Sequence, residues 1–265
     1  MIGLLLFGAL LSRPVEITAD KLEVLDKEHK AIYRGHAKAI RDTTTLTCDT
    51  LTVFYSDTRE VQRIEADGNV EAIDGDRHAW GRHGDFDNAT GVLVVTGDPR
   101  AQSGERRVNG DRITFTTGTD QLAVTRPHTT DKELVIDADD LVLDADKKVA
   151  TWSGHVKAKK TTTTLLAPTL VARYDDAGTI TKVEARGGVV VTDKDRWARG
   201  ARADYDAATG RLVVLGKPEA RQGKSHITGR TVTFVSGSDV LEVEDAKSII
   251  DVKEKPKQKQ KEAPK

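Results

Sequence analysis

The chain has 265 residues, 31% of them charged and 5% aromatic, and its basic and acidic side chains leave a net charge of −1. That balance excludes a strongly basic nucleic-acid binder. A single cysteine, Cys48, excludes an intramolecular disulfide; between Thr47 and Asp49 in a strand-like run it reads as a packing residue, not a nucleophile.

In chain order, MIGLLLFGALLS comes first, an apolar run of about 11 residues that is too short to cross a bilayer as a helix. Residues 1–14 read as a signal-peptide-like segment, although no basic residue precedes the run, and they predict export. A first unit follows over 15–126. It contains ITADKL (17–22), YRGHAKA (33–39), TTTL (43–46), IEADGNV (64–70), DFDNATGVLVVTGDPRAQ (85–102) and GDRITFTTGTDQLAV (110–124). A second unit over 132–247 repeats these words without insertion or deletion. They return as IDADDL (136–141), WSGHVKA (152–158), TTTL (162–165), VEARGGV (183–189), DYDAATGRLVVLGKPEAR (204–221) and GRTVTFVSGSDVLEV (229–243). Identity is roughly 40% over about 110 positions, which marks a tandem duplication. The join, TRPHTTDKEL, reads as a turn, which keeps the units close and end to end. Residues 251–265 carry lysines at 253, 255, 257, 259, 261 and 265 and no aromatic side chain, and they read as a disordered tail.

Within each unit the apolar period is two. Ile64, Ala66, Val70 and Ala72 alternate with Glu65, Asp67, Asn69 and Glu71, and Val183, Ala185, Val189 and Val191 do the same in the second copy. Turn words such as NATG, AATG, TTGTD and SGSD recur about every 8–14 residues, and no helical stripe interrupts them. The fold class is all-β, with about ten short strands per unit that bury one apolar face. A sandwich, a jelly roll and a flattened solenoid all satisfy this pattern. The inner faces are short aliphatics and glycines, which suits either a close-packed core or a slot for a long apolar guest.

Motifs for chemistry are missing. His36 and His155 each follow a glycine at an apparent strand start, with no second histidine two residues on. His78 and His83 are five apart and would face opposite ways on a strand. All four read as loop or edge residues. Asp74, Asp76, Asp85 and Asp87, with Asp193, Asp195, Asp204 and Asp206, read as turn residues because no D-x-D-x-D-G loop occurs. Without a P-loop, G-x-S-x-G, C-x-x-C or H-E-x-x-H motif, the reading is a non-enzyme with no catalytic residue, no metal and no cofactor.

The words I-x-A-D-x-L-x-V, I-x-A-x-G-N-V and D-[FY]-D-x-A-T-G, in this order, resemble the OstA-like domain of the lipopolysaccharide-transport periplasmic bridge proteins. The resemblance covers nearly all of the first unit and, more loosely, the second. It implies two tandem V-shaped antiparallel β-jelly rolls whose apolar inside carries acyl chains in the periplasm. It also implies partners: lipopolysaccharide or a related glycolipid, and like domains of the transport machinery at the inner and outer membranes, with head-to-tail self-association. The second copy departs from the pattern at Gly188, in place of the asparagine, and at Pro168, which forces an edge, a bulge or a bend.

The candidate lipid-binding residues in the first unit are Ile64, Val70, Phe86, Val95, Ile113 and Phe115. Their counterparts are Val183, Val189, Tyr205, Val214, Val232 and Phe234. Each is apolar on an alternating strand and fits a plain core equally well. Two rival readings remain: a structural scaffold with a dry interior, and a carbohydrate-binding sandwich. The second wants clustered tryptophans, whereas Trp80, Trp152 and Trp197 fall at unmatched places in the two units.

Overall fold

The computed structural model describes residues 15–41, 44–74, 77–103, 106–116, 121–235 and 238–249. The signal-like segment 1–14, the lysine tail 251–265 and Asp76 lie outside these. The described chain is all-β: 24 strand segments join in one antiparallel sheet, with one 3-10 turn at Asp26–Glu28. The long strands pair with their neighbours in sequence, and the short segments lie in line as halves of broken strands: Val92–Thr96 and Arg100–Ser103 both pair with Arg77–Asp87, so the chain runs back and forth as a meander. The turns are those the sequence announces. In NATG the Asp87 carboxylate accepts from the Thr90 N–H at 2.7 Å, Gly91 supplies the positive φ of 66°, and Asp206 and Thr209 repeat the contact in AATG.

The sheet does not stay flat. Midway along its length each strand bulges or breaks. The register slips at Gly35-His36 within Lys30–Arg41, at Gly68-Asn69 within Val61–Asp74, at Gly154-His155 within Val149–Lys160 and at Gly187-Gly188 within Ile180–Asp193. Other strands break at the same level, at Gly97-Asp98, Arg126-Pro127 and Gly216-Lys217. A bulge bends its strand and adds twist, and a row of them makes a crease that folds the sheet into two facing walls.

The repeated G-H dipeptide is therefore not a strand start. His36 and His155 sit in mid-strand at φ 47° and 45°, exposed on the outside of the crease, and bond Asp20 at 2.8 Å and Asp139 at 2.7 Å. The Asp20 hydrogen bond holds the His36 imidazole above its ordinary pKa. His83 likewise bonds Asp67 at 2.6 Å. These histidines belong to paired central strands, where the bulge exposes them, and not to loops or edges.

Pro168 and Gly188 turn out to be one feature. In the first copy the equivalent Asn69 amide donates to the Asp49 carboxylate at 2.9 Å across the crease. In the second copy Pro168 and Gly188 replace both partners together. Pro168 falls in the register gap on both sides of its strand, so its missing N–H costs no ladder bond. It packs on Gly187, where an added Cβ would lie 3.0 Å from the proline ring.

The join between repeats holds a short strand between a bend at 126–127 and a tight turn. His128–Asp131 pairs with Leu134–Asp137 about a tight turn at 132–133, and Gln121–Thr125 pairs with Asp140–Asp144. The ladder crosses from one repeat to the other unbroken, so the two copies share both walls.

Candidate functional site: the space between the walls

Cross-strand register defines the inner surfaces. On the first wall an apolar row runs through every strand: Ala31, Val53, Ile64, Phe86, Leu93 and Phe115, then Leu122, Leu143, Ala150, Ala172, Val183 and Tyr205, and on to Leu212, Phe234 and Leu241. Nearer the crease a second row includes Leu51, Ala66, Gly84, Val95, Ile113, Val124, Leu141, Trp152, Leu170, Val214 and Val232. The opposite wall contributes Leu46, Ala72, Ala79, Ala101, Val108, Ile136, Ala158, Leu165, Val191 and Ala198. Strand alternation turns these side chains inward and sends Lys, Glu and Thr outward.

All twelve candidate residues share these inward registers. Ile64, Phe86, Phe115, Val183, Tyr205 and Phe234 belong to the first row, and Val95, Ile113, Val214 and Val232 to the second. Val70 and Val189 sit beside the crease on the opposite wall. Nine are buried, while Ile64, Val183 and Tyr205, near the mouth, are half-buried.

The space between the walls is not uniform. In the first repeat the opposite wall offers mostly alanine, and a small apolar recess with a cavity volume of about 30 Å³, partly open to solvent, remains. Ile64, Val70, Phe86 and Val95 line it with Leu46, Ala66, Ala72, Ala79, Gly84 and Leu93. It falls between two buried clusters: Ala66 and Val70 belong to one, Ala72, Ala79 and Val95 to the other. In the second repeat the walls meet. Trp152, only 1% exposed, reaches across and donates its indole N–H to Thr129 at 3.1 Å. Leu170, Val189, Val191, Val214 and Val232 fill the rest. The first repeat thus keeps a small apolar recess between its walls, whereas the second is closed by its own side chains.

The rims of the two walls also differ. The first wall carries Tyr174 and Ile180 toward its edge, beside Lys148. The opposite wall ends in a row that sequence reading missed and that is polar except at Leu134: Ser103 and Arg106, Asp131, Leu134, Lys160, Thr163, Asp193, Arg196 and Gln222 occupy successive strands at one level. A signal for it existed, since the word D-x-D-R occurs at both 74–77 and 193–196. Arg196 is 2% exposed. It donates to the Asp193 carboxylate and, at 3.1 Å, to the Ser238 carbonyl on the far rim, while its Nη1 has no partner among the described residues. Burial pushes the Asp193 carboxyl up, but the hydroxyls of Thr162 and Thr163 and the Arg196 guanidinium outweigh it and hold the pKa below the usual range. Arg106 spans the mouth in the same way, donating to the Gly178 carbonyl and lying 4.9 Å from the Tyr174 ring. Burial raises the Tyr174 phenol to about 12.

Among the described residues no cluster of three or more His, Cys, Asp or Glu is placed to hold a metal ion, and no helix is long and apolar enough to cross a membrane. Cys48 is buried, and burial raises its thiol pKa to about 11, as a packing residue requires.

The model of the family described as LptA/(LptD N-terminal domain) LPS transport protein matches this chain twice, over residues 16–121 and 135–239. The chain belongs to that family. A curated relative in Rhizobium meliloti (strain 1021), itself uncharacterized, is 34% identical over 93 residues, which cover 32% of this chain and 50% of that protein. The chain therefore spans about half the length of the curated relative it matches. Among solved structures, LptH, the LptA-homologous periplasmic component of the lipopolysaccharide transport device of Pseudomonas aeruginosa, is 17% identical. That match covers 45% of this chain and 95% of LptH, with a TM-score of 0.41. For this LPS transport family member the two matched segments coincide with the two sets of repeated words.

Proposed function

We propose that the chain carries lipopolysaccharide or a related glycolipid through the periplasm, acyl chains between the walls and sugars outside the mouth, as one segment of a bridge from the inner to the outer membrane. The observation that supports this best is the unbroken apolar row from Ala31 to Leu241, which presents one chemistry to a sliding tail across both repeats. Each buried CH₂ gains about 0.8 kcal/mol, so a chain of about a dozen carbons pays on the order of 10 kcal/mol to enter water unshielded. A lining of aliphatic and aromatic side chains, without hydrogen-bonding pockets, holds such a chain without a deep local minimum in which it would stall.

The two edges support a place in a longer assembly. Among the described residues Glu16–Thr18 and Lys21–Leu25 pair on one side only, and so do Leu241–Glu244 and Lys247–Ile249. Leu22 is 53% exposed and Ile249 62%. Such edges accept further strands, either from like domains at the two membranes or head to tail from a second copy.

Photo-crosslinking in cells tests the carriage. A crosslinker at Phe115 is expected to capture glycolipid, and one at Ala123, exposed on the outer face, is not. Equal capture, or none, overturns the proposal. The closed second repeat favours a second reading, a scaffold with a dry interior, for which protein purified without denaturant would yield no glycolipid by mass spectrometry.

A further inference from the structure

The polar rim sets three cations against three aromatic rings of the opposite wall. Arg106 lies 4.9 Å from the Tyr174 ring, Lys160 5.7 Å from Tyr205 and Arg196 5.7 Å from Phe234. Each contact crosses the mouth, and the three recur along the rim. Lys160 is three register steps from Arg196, through Thr163 and Asp193. It is three steps from Arg106, through Leu134 and Asp131. Strands spaced about 4.8 Å apart put neighbouring cations about 14 Å from one another.

We propose that this rim is a headgroup rail: Arg106, Lys160 and Arg196 exchange their aromatic partners for the phosphate headgroup of an anionic amphiphile as the walls part. The proposal rests on the carriage of an amphiphile and adds which end goes where, with tails on the apolar wall and anion on the polar rim.

Four observations carry it. The walls of the second repeat are in contact, so a tail enters only if the mouth opens, and opening removes the contacts that now occupy the cations. The Ser238 carbonyl and the Gly178 carbonyl belong to the far rim and leave with it. Asp193 and Asp131 belong to the same wall as Arg196 and Arg106 and stay, holding the guanidinium groups in place. Arg196 already has a buried Nη1 without a partner among the described residues, a donor that an incoming acceptor would satisfy. Lys160 has Leu134 and Thr163 as register neighbours, so no carboxylate of the rail stands beside its charge. A guanidinium takes a phosphate in bidentate fashion, which a neutral sugar cannot match.

The test uses the full chain and two probes of equal tail length below their micellar concentrations, dodecyl phosphate and dodecyl maltoside, with binding read by calorimetry at low salt. The wild type is expected to prefer the phosphate by tenfold or more. Lys160→Gln, at an exposed site that leaves the melting temperature in place, is expected to cut that preference severalfold. Arg106→Gln with Lys160→Gln is expected to abolish it while leaving maltoside affinity unchanged. Lys157→Gln, on the outer face of the same strand, is expected to change nothing. Equal affinity for both probes, an equal effect of Lys157→Gln, or competition by inorganic phosphate at the same concentration as dodecyl phosphate overturns the rail and leaves carriage standing. Binding of neither probe overturns carriage and the rail together.

Discussion

The indole N–H of Trp152 donates to the hydroxyl of Thr129 at 3.1 Å, joining the two walls where the repeats meet. Trp152 is the largest fully buried side chain among the described residues, and its counterpart in the first repeat is the half-buried Tyr33. Thr129→Val keeps the shape and leaves the indole N–H unpaired in a dry interior, a loss of about 1–3 kcal/mol. Urea unfolding is expected to show a lower midpoint at unchanged slope. Trp152→Phe with Thr129→Val, which removes both polar groups, is expected to recover part of the loss.

The crease needs glycine where it meets the neighbouring strand. At Gly154, with φ 73°, an added Cβ would lie 2.2 Å from the Asp139 carboxylate that bonds His155. Gly154→Ala is expected to lower stability by about 1–3 kcal/mol, through left-handed strain and displacement of Asp139. Thermal unfolding checks it. Gly223 has φ 58° but nothing within 4 Å, so Gly223→Ala carries the strain without the clash and is expected to cost less.

The recess predicts a separation of stability from capture. Ala79→Leu directs three more carbons into the apolar space bounded by Ile64, Phe86 and Val95. The cavity is smaller than the added group but opens to solvent on one side, so the leucine tip is expected to turn toward the opening and the melting temperature to hold within a few degrees. Lipid crosslinking from Phe86 is expected to fall severalfold. A large loss of stability with capture intact would mean that the recess is no binding space.

Acid is expected to weaken the second repeat through Asp193. Its pKa in the folded chain is held below the usual value, so it contributes stability above its unfolded pKa of about 3.9 and loses it as pH falls through the folded value. Urea midpoints measured from pH 7 down to pH 2.5 are expected to fall more steeply for the wild type than for Asp193→Asn with Arg196→Met. That double variant removes the buried pair as a unit and avoids leaving one charge alone.

Much of this molecule is legible in one dimension. Alternation at Ile64, Ala66, Val70 and Ala72 names the inward faces, because a strand has only two. The duplicated D-[FY]-D-x-A-T-G phrase marks matching hairpins, because its aspartate, threonine and glycine each meet a local demand of the turn. Local chemistry on a chain of period two determines strand, face and turn, and all twelve candidate residues follow from it.

What lies across strands was not legible. Arg106, Lys160 and Arg196 are far apart in sequence and line up only through a register that passes over several strands. The G-H words read as strand starts, because a bulge in mid-strand is set by the neighbouring Asp20 or Asp139 and not by the dipeptide itself. Pro168 and Gly188 looked like two departures until pairing placed them side by side. Whether the interior is open or closed was decided by Trp152 meeting Thr129 across the walls in one repeat, and by alanine facing the gap in the other. Those are sums over side chains from both walls, and only the folded chain brings them together.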